Sequence, residues 1–336
     1  MPERVLKLLR DFNSGGEVQG GIPCPGPKIS AALGITRSAV WKKIRRLEAA
    51  GYRIAASKSG YRLLDGPDLS AFELRYRLPG VRIFFKENVS STNDLAMETA
   101  LGDSRPALVI ANSQTAGRGR LGRQWLSPPD ANIYMSVVFQ PEIPPRRSPL
   151  LALAAGLASA LAIKGQTGLP VRLKWPNDLI APVKADGRCK KIGGILLEFR
   201  SDPDRLLFAV AGIGINANLE RADLPKGMGA AATSILAETG RRVDRAALAA
   251  AVYKELDYWT GLLKKGAKAE VQLLNGYRSL CITIGRKIRV QTEGQSFAGT
   301  ATGIDDDGRL ILSTETGAKR LRFSTGEVSS VRSGDN

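Results

Sequence analysis

The chain has 336 residues, enough for two or three domains that each bury a core, and its apolar fraction of 43% is ordinary for a globular protein. It contains no histidine, which excludes Ser-His-Asp triads, Cys-His pairs and histidine-ligated zinc. Acid–base work and charge stabilisation must then fall to Lys, Arg, Asp, Glu or backbone groups. The formal charge is +17 and is densest at the N-terminus, where residues 1–66 carry 12 Lys and Arg against 5 Asp and Glu. Such a balance serves either general solubility or a nucleic-acid face.

Met1-Pro2-Glu3-Arg4 is followed by no long apolar run, so no signal peptide is expected. Cys24, Cys189 and Cys281 have no metal spacing, and their odd number suits a reducing, cytoplasmic setting without a disulfide framework. The most apolar stretch, residues 150–163, is shorter than the roughly 18 to 20 residues that a bilayer requires. It opens with Ser148-Pro149, a helix-start signal, and reads as a core helix; no membrane partner is expected.

Along the chain, Val5, Leu6, Leu8 and Leu9 give a first amphipathic helix. A Gly- and Pro-rich loop (residues 15–27) leads to a short helix over 28–33, and Gly34-Ile35 makes a tight break. Thr36 then caps a third helix that Gly51 stops. On this helix Val40, Ile44 and Leu47 form one apolar stripe, with Ser38, Lys42, Arg45 and Arg46 on the opposite side. A hairpin over 52–63 follows, turning at Lys58-Ser59-Gly60. This order predicts a winged helix-turn-helix, with Thr36, Arg37, Ser38, Lys42, Arg45, Arg46 and the wing residue Lys58 as DNA contacts. A solvated charged helix face is the plainer reading of the same helix.

Residues 66–270 alternate strands and helices, and residues 271–336 read as all β. Strands are expected there over 284–290, 295–302, 309–313 and 319–323, with turns at Glu293-Gly294 and Asp307-Gly308 that suggest a small barrel. The expected domains are 1–65, 66–270 and 271–336, with a hinge near Asp65-Gly66-Pro67. The fold class is α+β.

Four motifs in the middle segment carry chemistry. Ser91-Thr92-Asn93 alone is ordinarily a turn or a helix N-cap. Residues 114–125, Gln-Thr-Ala-Gly-Arg-Gly-Arg-Leu-Gly-Arg-Gln-Trp, contain GxGxxG, yet the following Ser127-Pro128-Pro129 denies the helix that a dinucleotide fingerprint opens. What remains is a loop with backbone N–H groups and Arg118, Arg120 and Arg123, suited to a phosphate or adenylate. Lys174-Trp175-Pro176-Asn177-Asp178 ends a strand, and Asp178 there could hold Mg2+ on a triphosphate. The glycines in Lys190-Lys191-Ile192-Gly193-Gly194-Ile195-Leu196-Leu197-Glu198 and Val210-Ala211-Gly212-Ile213-Gly214-Ile215-Asn216 mark either packing or close approach of a ligand.

In this order the motifs resemble those of biotin–protein ligases. With the N-terminal helix-turn-helix, the chain is similar to the bifunctional bacterial form that also represses the biotin operon. The resemblance spans essentially the whole chain, including residues 323–329. It implies a central mixed-sheet ligase domain like that of class II aminoacyl-tRNA synthetases and a C-terminal SH3-like barrel. It also implies biotin and ATP as substrates, Mg2+, a biotin carboxyl carrier protein and operator DNA as partners, and a ligand-dependent homodimer.

By resemblance, Ser91, Thr92, Asn93 and Gln114 would meet the ureido ring and tail of biotin, while Arg118, Gly119 and Arg120 close over it. Gly212 and Gly214 would line its pocket. Arg118, Arg120, Arg123, Trp125, Lys174, Asn177, Asp178 and Asn216 would serve the nucleotide. Lys191, Arg120 and Asp178 would be catalytic, with Lys191 on the biotin carboxylate or the phosphate and Asp178 on the metal. A lipoate–protein ligase and a sensing repressor without catalysis are the rival readings. The helix-turn-helix and Lys-Trp-Pro-Asn-Asp disfavour the first, and retention of Lys191, Arg120 and Asp178 disfavours the second.

Overall fold

A computed structural model describes residues 2–14, 22–182, 189–224, 232–264, 266–292, 294–314 and 319–330. The chain forms two compact units, Met1–Ile83 and Phe84–Asn336.

The first unit runs α1 (Pro2–Ser14), α2 (Gly26–Leu33), α3 (Arg37–Ala49), β1 (Arg53–Ser57), β2 (Gly60–Asp65) and α4 (Ala71–Arg77). The expected punctuation holds. Gly34 closes α2 in the left-handed region at φ 62°, and the Thr36 hydroxyl accepts from the Ala39 amide at 3.2 Å. Val40, Ile44 and Leu47 are buried with Val5, Leu6, Leu9, Ile29 and Tyr52 in one core. Residues 15–21 of the Gly- and Pro-rich lead lie outside the described residues, but its end is pinned to the wing. Cys24 and Tyr61 exchange backbone hydrogen bonds of 2.8 and 2.9 Å, so Cys24 acts as a third strand beside the β1–β2 hairpin.

The predicted hinge at Asp65-Gly66-Pro67 falls inside this first unit. Gly66 lies so close to the Tyr52 ring that a Cβ there would sit 2.5 Å from it. Beyond it, α4 docks through a buried carboxylate. Glu73, 1% exposed, pairs with Arg10 and Arg77 and accepts from the Tyr52 hydroxyl at 3.1 Å. Burial pushes the Tyr52 phenol well up, helped by the Glu73 charge and opposed by its bond to Ser70.

In the second unit come β3 (Ile83–Val89), α5 (Thr92–Gly102), β4 (Ala107–Gln114), β5 (Ile133–Phe139), α6 (Pro149–Thr167), β6 (Arg172–Lys174), β7 (Asp178–Pro182), β8 (Cys189–Ser201) and β9 (Leu206–Ile215). They are followed by α7 (Ile235–Thr239), α8 (Arg245–Leu263) and α9 (Ala267–Leu280). The seven strands form one sheet in the order β3-β4-β5-β9-β8-β7-β6, with antiparallel pairing from β4 through β6. The apolar run expected at 150–163 extends further than predicted. It belongs to the 19-residue α6, which by length and composition alone could cross a membrane, but 67% of its apolar window is buried within the protein.

The C-terminal strands β10 (Lys287–Thr292), β11 (Gln295–Ile304), β12 (Leu310–Thr314), β13 (Arg320–Phe323) and β14 (Glu327–Ser330) form an antiparallel sheet ordered β13-β12-β11-β10-β14. The first four lie within a few residues of the expected strands, and the fifth has no counterpart among them. Residues 271–336 are not all β as expected, because α9 continues through the expected boundary to Leu280 and the first strand begins only at Lys287. The Trp175 amide donates to the Thr283 hydroxyl at 3.0 Å and its indole N–H to the Gly308 carbonyl at 3.4 Å, tying the segments flanking these strands to the β6–β7 turn of the large sheet.

Gly60 offers a test of the pinned wing. It sits at φ +134°, and a Cβ there would lie 2.2 Å from the Cys24 carbonyl oxygen. Gly60→Ala should therefore cost the first unit about 2 kcal/mol or more, seen as an earlier first transition in thermal unfolding. An unchanged melting profile would contradict the close approach.

Candidate active site and nucleic-acid face

One cavity of about 840 Å³ opens on the large sheet, and every ligand-binding residue expected from the motifs lines it. Its floor is the β8–β9 pair, in register Gly194↔Gly214 and Leu196↔Gly212. Because side chains alternate along a strand, Gly194, Leu196, Gly212 and Gly214 share one face. The bare glycines let large groups lie flat on the sheet. A Cβ on Gly214 would be 2.6 Å from the Trp125 ring, and one on Gly212 would be 2.1 Å from Asn93 Oδ1.

The polar wall begins at the start of α5, where the Ser91 side chain caps the helix and accepts from the Asp94 amide at 3.4 Å. The plainer N-cap reading of the triplet is therefore true of Ser91 as well. Gln114, at the end of β4, accepts from the Thr92 amide at 2.8 Å and the Thr92 hydroxyl at 3.1 Å, and donates to Ser127 at 2.8 Å. The Ser136 hydroxyl donates to Asn93 Oδ1 at 2.6 Å. Asn93 in turn donates to Glu198 at 2.7 Å.

The Gly- and Arg-rich segment is a loop, as predicted, with one short turn at Arg120–Gly122. It folds back on itself through Gly119 N to Arg123 O (2.7 Å) and Trp125 N to Gly117 O (2.8 Å). Arg118 pairs with Asp94 and Glu198. Arg120 reaches the Asn177 side chain at 3.0 Å, the Thr325 hydroxyl at 2.6 Å and the Gly326 carbonyl at 3.4 Å. Burial pulls its guanidinium below the ordinary value, with the Asp178 and Glu327 charges acting in the opposite sense. Arg123 pairs with Glu327.

Beyond the loop, Lys174 and Asp178 face each other across the β6–β7 hairpin, and the Trp175–Pro176 peptide in its turn is cis. Lys191 Nζ lies 2.6 Å from Asp178 Oδ1 and 5.5 Å from the centre of the Trp125 ring. Asn216 is held by the Thr233 carbonyl at 3.0 Å. The Trp125 indole N–H is buried at this wall without an acceptor among the described residues, a donor that a bound ligand can satisfy.

Sequence reasoning misses Asp94, Ser127, Ser136 and Glu198, and gives no role to Thr325, Gly326 and Glu327. Glu198 is visible as the carboxylate closing the β8 motif, on the same alternation as Gly194. The others carry no local signal. The second loop expected over 217–232 lies in part (225–231) outside the described residues.

On the first unit, Thr36, Arg37, Ser38, Lys42, Arg45 and Arg46 are all exposed along α3, and Lys58 is exposed on the wing turn. Arg45 is partly engaged, 3.1 Å from Glu48 and stacked 5.3 Å over Trp41. Trp41, overlooked in the sequence, is 51% exposed on this face.

A nucleotide-sized cavity with an amide and hydroxyl wall and an arginine-bearing loop at its mouth has the parts that an acid-activating ligase needs. The Biotin/lipoate A/B protein ligase family matches residues 86–216, the Biotin protein ligase C terminal domain matches 283–330, and an HTH domain matches 23–62. The chain is 36% identical over 308 residues to the bifunctional ligase/repressor BirA of Bacillus subtilis, covering 88% of this chain and 91% of that protein. It is 34% identical to the biotin--[acetyl-CoA-carboxylase] ligase of Mycobacterium tuberculosis, covering 79% and 97%. Among solved structures, the biotin protein ligase from Aquifex aeolicus in complex with biotin and ATP matches with a TM-score of 0.63 at 26% identity, covering 74% of this chain and 99% of that one. The chain belongs to the biotin–protein ligase family, in its form with an N-terminal helix-turn-helix.

Gly212→Ala tests the floor. The new methyl group must displace Asn93 from its bonds to Ser136 and Glu198, so biotin affinity by calorimetry should fall about tenfold or more. An unchanged affinity would mean that the Asn93 position is immaterial to binding.

Proposed function

We propose that this chain is an ATP-dependent biotin–[acetyl-CoA-carboxylase] ligase and a biotin-responsive DNA-binding repressor. The observation that carries the ligase reading is the convergence of Lys191 and Arg120 on one cavity whose far wall is the Ser91, Thr92, Asn93 and Gln114 network. That wall offers donors and acceptors suited to a ureido ring, and the two cations suit two anions that must be brought together. The biotin carboxylate attacks the α-phosphorus of ATP and pyrophosphate leaves; Lys191 and Arg120 offset the repulsion and stabilise the phosphorane-like charge. A lysine amine of the biotin carboxyl carrier domain then attacks the acyl carbon, loses its proton and expels AMP. The mixed anhydride is open to water, which gives the 114–125 loop its use as a cover.

Among the described residues no cluster of three or more acidic or sulfur ligands could hold a metal. The donors present suit Mg2+ that arrives on the triphosphate, held chiefly by phosphates and water, with Asp178 as the protein carboxylate. Bound there, Mg2+ would neutralise phosphate charge; the protein's own contribution is to place Asp178 beside Lys191 and to aim Asn177 and Arg120 at the same spot. A ligand-dependent homodimer through the central sheet belongs to the same reading, and Phe199 and Leu207 stand 38% and 42% exposed on that sheet.

The deciding experiment is incubation with biotin, Mg-ATP and a biotin carboxyl carrier domain, followed by intact mass. One biotinyl group on the carrier is expected. Transfer of lipoate in place of biotin would overturn the reading. Arg120→Gly removes the loop's anchor on Asn177, Thr325 and Gly326, so free biotinyl-5'-AMP should escape and label unrelated lysines; unchanged selectivity for the carrier would sink the role given to the loop.

The DNA reading rests on the exposed basic front of α3 over its buried apolar back. Arg37→Ala with Lys42→Ala should weaken duplex binding and lower the salt slope by about one for each phosphate no longer neutralised, with biotin transfer retained. Binding that is insensitive to both changes would assign the DNA surface elsewhere.

A further inference from the structure

We infer that Glu198 is a positioning residue that couples the biotin-facing wall to the closing loop, through Asn93 on one side and Arg118 on the other. This rests on the ligase reading above.

Glu198 stands on β8 opposite Val210, with its side chain 29% exposed. It does not line the cavity, yet two residues that do, Asn93 and Arg118, are bonded to it. Its Oε2 accepts from Asn93 Nδ2 at 2.7 Å, and both its oxygens lie 3.1 to 3.2 Å from Arg118 Nη2. An ionised carboxylate can only accept hydrogen bonds. Together with the Leu196 carbonyl, which accepts more weakly from the same Nδ2 at 3.4 Å, it sets the Asn93 amide to present its NH2 group toward β8 and its oxygen toward Ser136 and Gly212. Asn93 is 4% exposed, so the amide has no water to turn to if that orientation is lost. The neighbouring Thr92 backbone and hydroxyl, both on Gln114, follow the same helix start.

Arg118 is fixed to the loop by its backbone bridge to Gln124. The closed loop thus delivers a guanidinium to a carboxylate that also orders the pocket wall, and Arg118 adds a second grip on Asp94, the residue after Asn93. When the loop opens, Glu198 loses its compensating cation and its hold on Asn93 is perturbed. When biotin orders the wall, Glu198 is set where Arg118 can dock. Each event favours the other by the same free energy, as linkage requires. Biotin would in this way promote closure of the cover over its own adenylate.

The test separates the two arms in the full-length protein. Glu198→Ala removes both and should raise the KM for biotin in ATP–pyrophosphate exchange and speed release of biotinyl-5'-AMP, each by about tenfold. Glu198→Gln keeps an acceptor for the Asn93 amide but loses the charge facing Arg118. It should leave adenylate release fast, measured by the appearance of free biotinyl-5'-AMP in the filtrate. Because closure and biotin binding are linked, it should also keep part of the rise in KM, smaller than in the Ala variant. Adenylate retention equal to wild type in the Gln variant, or fast release with a wild-type KM for biotin, overturns the coupling. If the Ala variant fails to fold, the Gln variant alone decides, by its release rate against its KM. Wild-type protein that shows no biotin-dependent exchange would instead refute the ligase reading itself.

Discussion

The site depends on a patch of sheet from which side chains have been removed. At Gly194, Gly212 and Gly214 the backbone of β8 and β9 is bare on one face, and Trp125 and Asn93 lie directly on it. Any larger residue at Gly212 or Gly214 would meet these groups well inside van der Waals distance. Such glycines weaken a strand, yet here the strands are central, with β5 on one flank and β7 on the other. The ladder on both sides and α6 behind it supply the rigidity that the glycines forgo.

On that floor the charges are arranged in reciprocal pairs. Lys191 rests on Asp178, Arg118 on Asp94 and Glu198, and Arg123 on Glu327. A chain without histidine has no side chain whose ordinary pKa lies near neutrality. Binding of anionic substrates then means exchanging one carboxylate partner for another ligand. In the proposed reaction the biotin carboxylate and the triphosphate would take over from Asp178 at Lys191, leaving Asp178 to the metal.

The helix starts, the apolar stripe of α3, the wing and the ordered motifs are legible locally, because caps, glycine turns and alternation act over a few residues. The rejection of a dinucleotide fold follows from Pro128 and Pro129 alone, and the loop indeed continues without a helix. What cannot be read depends on contacts between distant segments. The docking of Arg120 on Thr325 joins residues 205 apart in sequence, and neither has a pattern that announces the other. Cys24 reads as part of an irregular lead because its bridge to Tyr61 belongs to a strand one residue long. Glu198 reads as the polar end of a buried strand, since alternation gives its face and not its partners.

The C-terminal sheet is best understood through these long-range bonds. By itself, a five-stranded sheet of this size could be a separate appendage. Thr325 and Gly326 instead occupy the space beside Asn177, where Arg120 meets them, and Trp175 spans from the same hairpin to Thr283 and Gly308. The hairpin carrying Asp178 is thus held on one side by β8 and on the other by the C-terminal strands. In the proposed reaction the 114–125 loop shields a reactive anhydride, and such a cover needs a fixed surface to close against. In this chain that surface is built in part from residues about 200 positions downstream, so loss of the last strand would loosen the cover even with every motif of the central domain intact.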